Sequence, residues 1–147
     1  MPTTYDEVYL GNPLLKKANV QQEFTQEQIL EFMACKADPV YFAKQHVKIV
    51  SLDEGLVPFQ PYDFQEKLIE NFHANRFNIC KMPRQTGKST TSVSYLLHYA
   101  VFNDNVNIGI LANKSATARD LLGRLQTAYE NLPKWMQQGI ISWNKGS

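Results

Sequence analysis

The sequence predicts an α/β fold: a parallel sheet with helical crossovers, flanked by helices and overlaid at its N-terminal side by a further helical layer. Two observations carry this. The continuous apolar runs "RFNICKM" and "VNIGILA" each precede an amphipathic stretch, so the second half reads strand, loop, helix, strand, helix and the start of a third strand. The bulk numbers agree, with 147 residues, 44% hydrophobic and 20% charged, at net charge +1, which is the composition of one ordinary globular domain. A balance so near neutral leaves no nucleic-acid footprint over the whole chain, although a local basic patch stays open. No apolar run approaches the ~18 residues of a membrane span. "MPTTYDEVYL" lacks the build of a signal peptide, so a soluble cytosolic chain with no membrane role is expected. Cys35 and Cys80 lie far apart without ligand spacing, and buried reduced thiols are expected of both.

Taken in order, residues 1–24 read as an extended arm, because Gly11, Asn12, Pro13 and Asn19 interrupt any regular pattern. The domain then runs over 25–147. "TQEQILEFMACK" opens with a capping box, Thr25 and Gln28 exchanging side-chain and backbone bonds, and predicts a helix over 26–36. "ADPVYFAKQHV" starts a second, short helix with Asp38 as cap and Pro39 at its first position. Lys48–Leu52 is strand-like, and Gly55, Pro58 and Pro61 break the stretch after it. Asp63 is expected to cap a helix carrying Phe64, Leu68, Ile69 and Phe72. Residues 77–82 form the first expected buried strand. Val93, Leu96, Leu97, Ala100 and Val101 then share one helical stripe. Residues 106–112 are the second expected strand. Leu121, Leu122, Leu125, Ala128, Tyr129 and Leu132 mark another amphipathic helix, stopped by Pro133, and "GIISWNKGS" begins the third strand.

Between the first expected strand and its helix lies "ICKMPRQTGKSTT", residues 79–91. Gly-Lys-Ser is the chemically specific end of a phosphate-binding loop. Gly87 lets the backbone approach closely, Lys88 reaches the β- and γ-phosphates, and Ser89 offers its hydroxyl to Mg²⁺. Inward-turned amides at a helix N-terminus supply the rest. Met82 stands where the full pattern has its first glycine, and three residues also occur by chance as a turn with an exposed lysine. The strand before and the helix after favour the nucleotide. Arg84 is either a solvated loop charge or a guanidinium laid on the γ-phosphate, and its position favours the second.

Upstream, "FQPYDFQ" places Gln65 in the first turn of the preceding helix. That helix would run about 18 Å out and the strand about 20 Å back, returning Gln65 to the end of the sheet that carries Lys88. A glutamine amide matches adenine N6 and N7, and Phe64 or Tyr62 could stack on the base. The ordinary alternatives are a surface glutamine and a core phenylalanine. His46, His73 and His98 show no metal spacing and read as satisfied surface or core residues. Lys114, Arg119 and Arg124 form a basic edge that is a solvated face unless DNA or a neighbouring subunit uses it. Trp135 and Trp143 read as packing residues.

"PRQTGKST", with Arg-Gln ahead of the glycine, resembles the deviant Walker A motif of the large terminase subunit of tailed bacteriophages, the DNA-packaging motor. "FQPYDFQ" is similar to that family's adenine-binding segment. "VNIGILANKSATARDLLGRL" resembles the family's strand and helix after the loop, and "ENLPKWMQQGIISWNKGS" the segment beyond them. The likeness runs from roughly Pro13 to Ser147 and is nearest the myovirus type. It implies a P-loop NTPase (RecA-like) sheet with ATP and Mg²⁺ as cofactors. Lys88 and Ser89 would then hold phosphates and metal, and Arg84 would trigger hydrolysis. Gln65 with Phe64 would hold adenine, while Gln85, Thr86, Gly87 and Thr90 complete the loop. Double-stranded viral DNA, the portal protein, the small terminase subunit and a ring of like subunits are the implied partners, in the host cytoplasm. Tyr62 departs from the family, whose nearest members carry arginine there. The acidic strand end that activates water is also absent, since Asp104, Asp120 and Glu130 are the only acids after Ser89 and none follows an apolar strand. The nuclease domain is missing too. The chain is therefore expected to be the N-terminal portion of such a protein, truncated inside the ATPase domain, binding ATP weakly and turning it over negligibly. A helicase-like ATPase fragment and a non-catalytic interaction module with a vestigial loop are the alternatives.

Overall fold

A computed structural model describes residues 7–144. Its first two helices begin where local chemistry says they should. In α1 (Gln26–Ala37) the Gln28 amide donates to Thr25 Oγ1 at 3.2 Å and the Thr25 amide to Gln28 Oε1 at 3.0 Å, closing the expected capping box. Asp38 then caps α2 (Pro39–His46), accepting from the Val40 and Tyr41 amides, while Pro39 occupies the position where no donor is wasted. Strands β1 (Lys48–Ser51) and β2 (Gly55–Pro58) pair antiparallel, Ile49 opposite Val57 and Val50 opposite Leu56. Gly55, at φ +75°, turns the chain into β2. Helix α3 (Asp63–Ala74) has Tyr62 rather than Asp63 at its cap, so Asp63 sits inside the first turn, where its charge meets the positive end of the helix dipole. Helices α4 (Lys88–Phe102) and α5 (Ser115–Glu130) complete the set.

The core lies where α1, α2 and α4 meet. Phe42 is fully buried and its ring stands perpendicular to Phe102 at 5.3 Å, and Phe32 packs edge-on to the same ring at 5.0 Å. Cys35, Ala43, Val47, Ile69, Val93, Leu97 and Val101 fill the space around them, and Ala128, Leu132 and Met136 close it from the α5 side. Edge-on aromatic pairs of this kind add about 0.5–1.5 kcal/mol each beyond their buried area.

The parallel sheet is not there. Among the described residues the strands are β1 and β2 alone, an antiparallel pair beside five α-helices. The RecA-like P-loop NTPase fold expected from the sequence is therefore not the fold observed. Residues 77–82 and 106–112 have no regular structure and join no ladder, and Phe77, Ile79 and Leu111 are 81%, 101% and 96% exposed. The physical reason is that a strand is stabilised by its neighbours, and an apolar run that finds no partner has only a weak preference of its own. The expected third strand reduces to one bridge, Lys17 alongside Ile140, with the Ile140 amide donating to Lys16 O at 2.8 Å. Residues 145–147 of that run lie outside the described residues.

The arm also departs from expectation, and its residues 1–6 lie outside the described residues. From residue 7 it folds back rather than extending, with a 3₁₀ turn at Tyr9–Gly11, a bridge between Val8 and Lys16, and Leu15 buried. Gln137 anchors it. The buried amide accepts from the Lys16 N–H at 3.0 Å and donates to Leu14 O at 2.9 Å. Gly139 permits this contact, since a Cβ there would lie 2.5 Å from Ala18 Cα.

Candidate phosphate-binding site

The chain leaves α3 at Asn75 and reaches the loop before α4 through largely exposed residues without regular structure. Two left-handed residues, Gln85 at φ +60° and Gly87 at φ +74°, turn it into the helix. Thr86 Oγ1 donates to Pro83 O at 2.9 Å and ties the turn across its base. Gly87 is the N-cap of α4, and no side chain caps that end.

Three donors converge on the Gly87 carbonyl. The Thr91 amide bonds it at 2.9 Å, Thr91 Oγ1 at 2.8 Å and Gln65 Nε2 at 3.3 Å. Thr91 is fully buried and Gln65 nearly so, which fixes the orientation of this peptide from the protein side. Helix geometry leaves the leading amides of α4 without intrahelical acceptors, at the positive end of the helix dipole. Lys88 is exposed at the first helical position and Ser89 half-buried at the second. A left-handed glycine, an uncapped 15-residue helix and an adjacent ammonium fit the phosphates of a nucleotide. The fit to Mg²⁺ is narrower: Ser89 offers one hydroxyl, and among the described residues the only clustered metal-ligand side chains belong to other elements.

Gln65 is brought to the loop as the sequence reading expects, but its amide is engaged there. Oε1 accepts from the Tyr62 amide at 2.9 Å while Nε2 holds Gly87, so in this structure it ties the first turn of α3 to the first turn of α4. Phe64 is 46% exposed and stacks on the still more exposed Tyr62 with centroids 5.9 Å apart. Arg84 and Gln85 are exposed on the turn, while Thr86 and Thr90 are half-buried. Thr90 and Val93 border a cleft of about 740 Å³ between β1 and α5, lined also by Lys48, Arg119 and Arg124. Of that basic edge, Arg124 pairs with Asp120 at 3.1 Å, and Lys114 precedes α5 at its N-cap. Trp135 packs against the core, and Trp143 lies beside the Tyr129 ring.

Two groupings lie outside that reading. His98 is buried, its Nε2 2.9 Å from Cys35 O, and Nδ1 has no hydrogen-bond partner. Burial, reinforced by neighbouring His73, holds its pKa below the usual imidazole value despite the Cys35 carbonyl. Glu31, Cys35 and His46 meet where α1 packs on α2, Cys35 buried and the other two half-buried, a cluster that chain spacing hides because His46 comes from a different helix. The only local signal is Glu31 and Cys35 four residues apart. The His46 hydrogen bond holds the Glu31 carboxyl below its ordinary value, and burial with the nearby Glu31 charge pushes the Cys35 thiol up to about 12. Cys80, expected to be buried, is exposed. No helix among the described residues is long and apolar enough to cross a membrane. No protein-family model matches the chain.

Proposed function

We propose that this chain binds the triphosphate of ATP at the loop leading into α4. The observation that carries the reading is the Gly87 peptide, held by Gln65 and Thr91 on its carbonyl side at the uncapped start of a long helix. A phosphate grip of this kind needs a helix N-terminus and a close backbone approach, and does not depend on a parallel sheet. Lys88 would add its charge to the outer phosphates and Ser89 its hydroxyl to an accompanying Mg²⁺, the ion's role being to neutralise phosphate charge. Phe64 with Tyr62 offers an exposed ring stack for the base.

The setting we propose is viral DNA packaging, the chain serving as the nucleotide-binding part of a large terminase subunit in the host cytoplasm. "PRQTGKST" with "FQPYDFQ" supports that part of the reading. Double-stranded DNA, a portal protein, a small terminase subunit and a ring of like subunits belong to the same proposal. Calorimetric titration with MgATP tests the binding claim. Lys88→Ala should weaken binding about tenfold or more, since a charge-assisted hydrogen bond is worth about 1.5–3 kcal/mol. Equal affinities in the two proteins would overturn it and favour an interaction module whose loop is vestigial.

A further inference from the structure

We propose that Glu31, Cys35 and His46 form a site for a zinc-class divalent cation that staples α1 to α2. Glu31 and Cys35 stand one turn apart on α1, and His46 is the last residue of α2. Their ligand atoms all lie within 4.8 Å of one another. His46 Nε2 is 2.8 Å from Glu31 Oε1, and Cys35 Sγ is 3.6 Å from the same oxygen. Donors bound to one tetrahedral zinc at about 2.0–2.3 Å stand about 3.5 Å apart, so small side-chain rotations make room for the ion.

The donor set selects the cation. A thiolate with an imidazole suits zinc rather than magnesium or calcium, which take oxygen ligands. Charge balances as well, because the Cys35 thiolate and the Glu31 carboxylate together neutralise a divalent ion. On binding, the thiol proton leaves to solvent, the S–Zn bond replaces the Sγ–H···Oε1 hydrogen bond, and His46 presents the Nε2 lone pair with its proton on Nδ1. Tyr41 O–H donates to the second Glu31 oxygen at 2.9 Å, an outer contact of the kind that orients metal-ligating carboxylates. Trp135 stands edge-on to the His46 ring at 6.3 Å and limits its rotation. Entry is open from solvent, since the Glu31 side chain is 30% exposed and that of His46 14%. Three protein ligands leave the fourth position to water.

Cobalt(II), the spectroscopic stand-in for zinc, tests this on reduced Cys80→Ser protein, where Cys35 is the only thiol. The expected result is thiolate-to-cobalt absorption that saturates at one equivalent and is bleached by zinc. Cys35→Ser in that background should abolish the absorption. His46→Gln, a change nearer the surface, should weaken cobalt binding by at least about tenfold. Absence of thiolate-to-cobalt absorption in the Cys80→Ser protein overturns the proposal, as does an affinity unchanged by His46→Gln in a variant whose circular dichroism is native.

Discussion

Gly87 shows how one position answers to two constraints at once. Its φ of +74° is costly for any side chain, and a Cβ there would collide with Gln65 Nε2. Gly87→Ala should lose about 1–2 kcal/mol from the left-handed backbone alone. Thermal unfolding should register this as a drop of roughly 3–8 °C, and ATP binding should fall with it. Gln65 makes a sharper case, because the sequence reading assigns its amide to adenine while the structure shows both ends bonded to backbone. If Gln65 positions the loop, Gln65→Ala weakens ATP and GTP equally in parallel titrations. A loss confined to ATP would return the amide to the base.

At the scale of elements, the legible parts are those whose cause is local. The Thr25–Gln28 box and the Asp38–Pro39 start can be read from four or five residues, and both appear as read. Strand formation has no such local cause. "RFNICKM" and "VNIGILA" carry strand-like composition, but pairing depends on what lies beside them, and neither meets a ladder. Gln65 does meet the Gly87 loop, but not by the route read from the sequence, since the returning strand at 77–82 is absent and the amide bonds backbone. The Glu31–Cys35–His46 cluster was hidden because the turn between α1 and α2 decides it. These elements give a direct check on the fold. Ile79 is fully exposed, so Ile79→Lys should change stability by no more than about 0.5 kcal/mol in a denaturant titration. A loss of about 2 kcal/mol or more would mean that the segment is a buried strand after all.

Over the whole molecule, stability rests on the aromatic junction of α1, α2 and α4. Phe42→Ala should cost about 3–5 kcal/mol, a large share of the total for a domain of this size. The same junction predicts a pH dependence through His98. Burial lowers its pKa in the folded state from 6.5, so the unfolded chain binds the proton more readily. Its contribution to stability is therefore complete above about pH 6.5 and declines as pH falls from there toward the lowered folded value. Melting temperatures measured downward from neutral pH should show that decline, and His98→Gln should flatten it. The proposed function, by contrast, depends on one end of one helix. The most direct test is an amide NMR titration of the ¹⁵N-labelled chain with MgATP. Phosphate bound at the start of α4 predicts that the largest shifts fall on the Gly87, Lys88, Ser89 and Thr90 amides. Saturation with those four amides unmoved would contradict it.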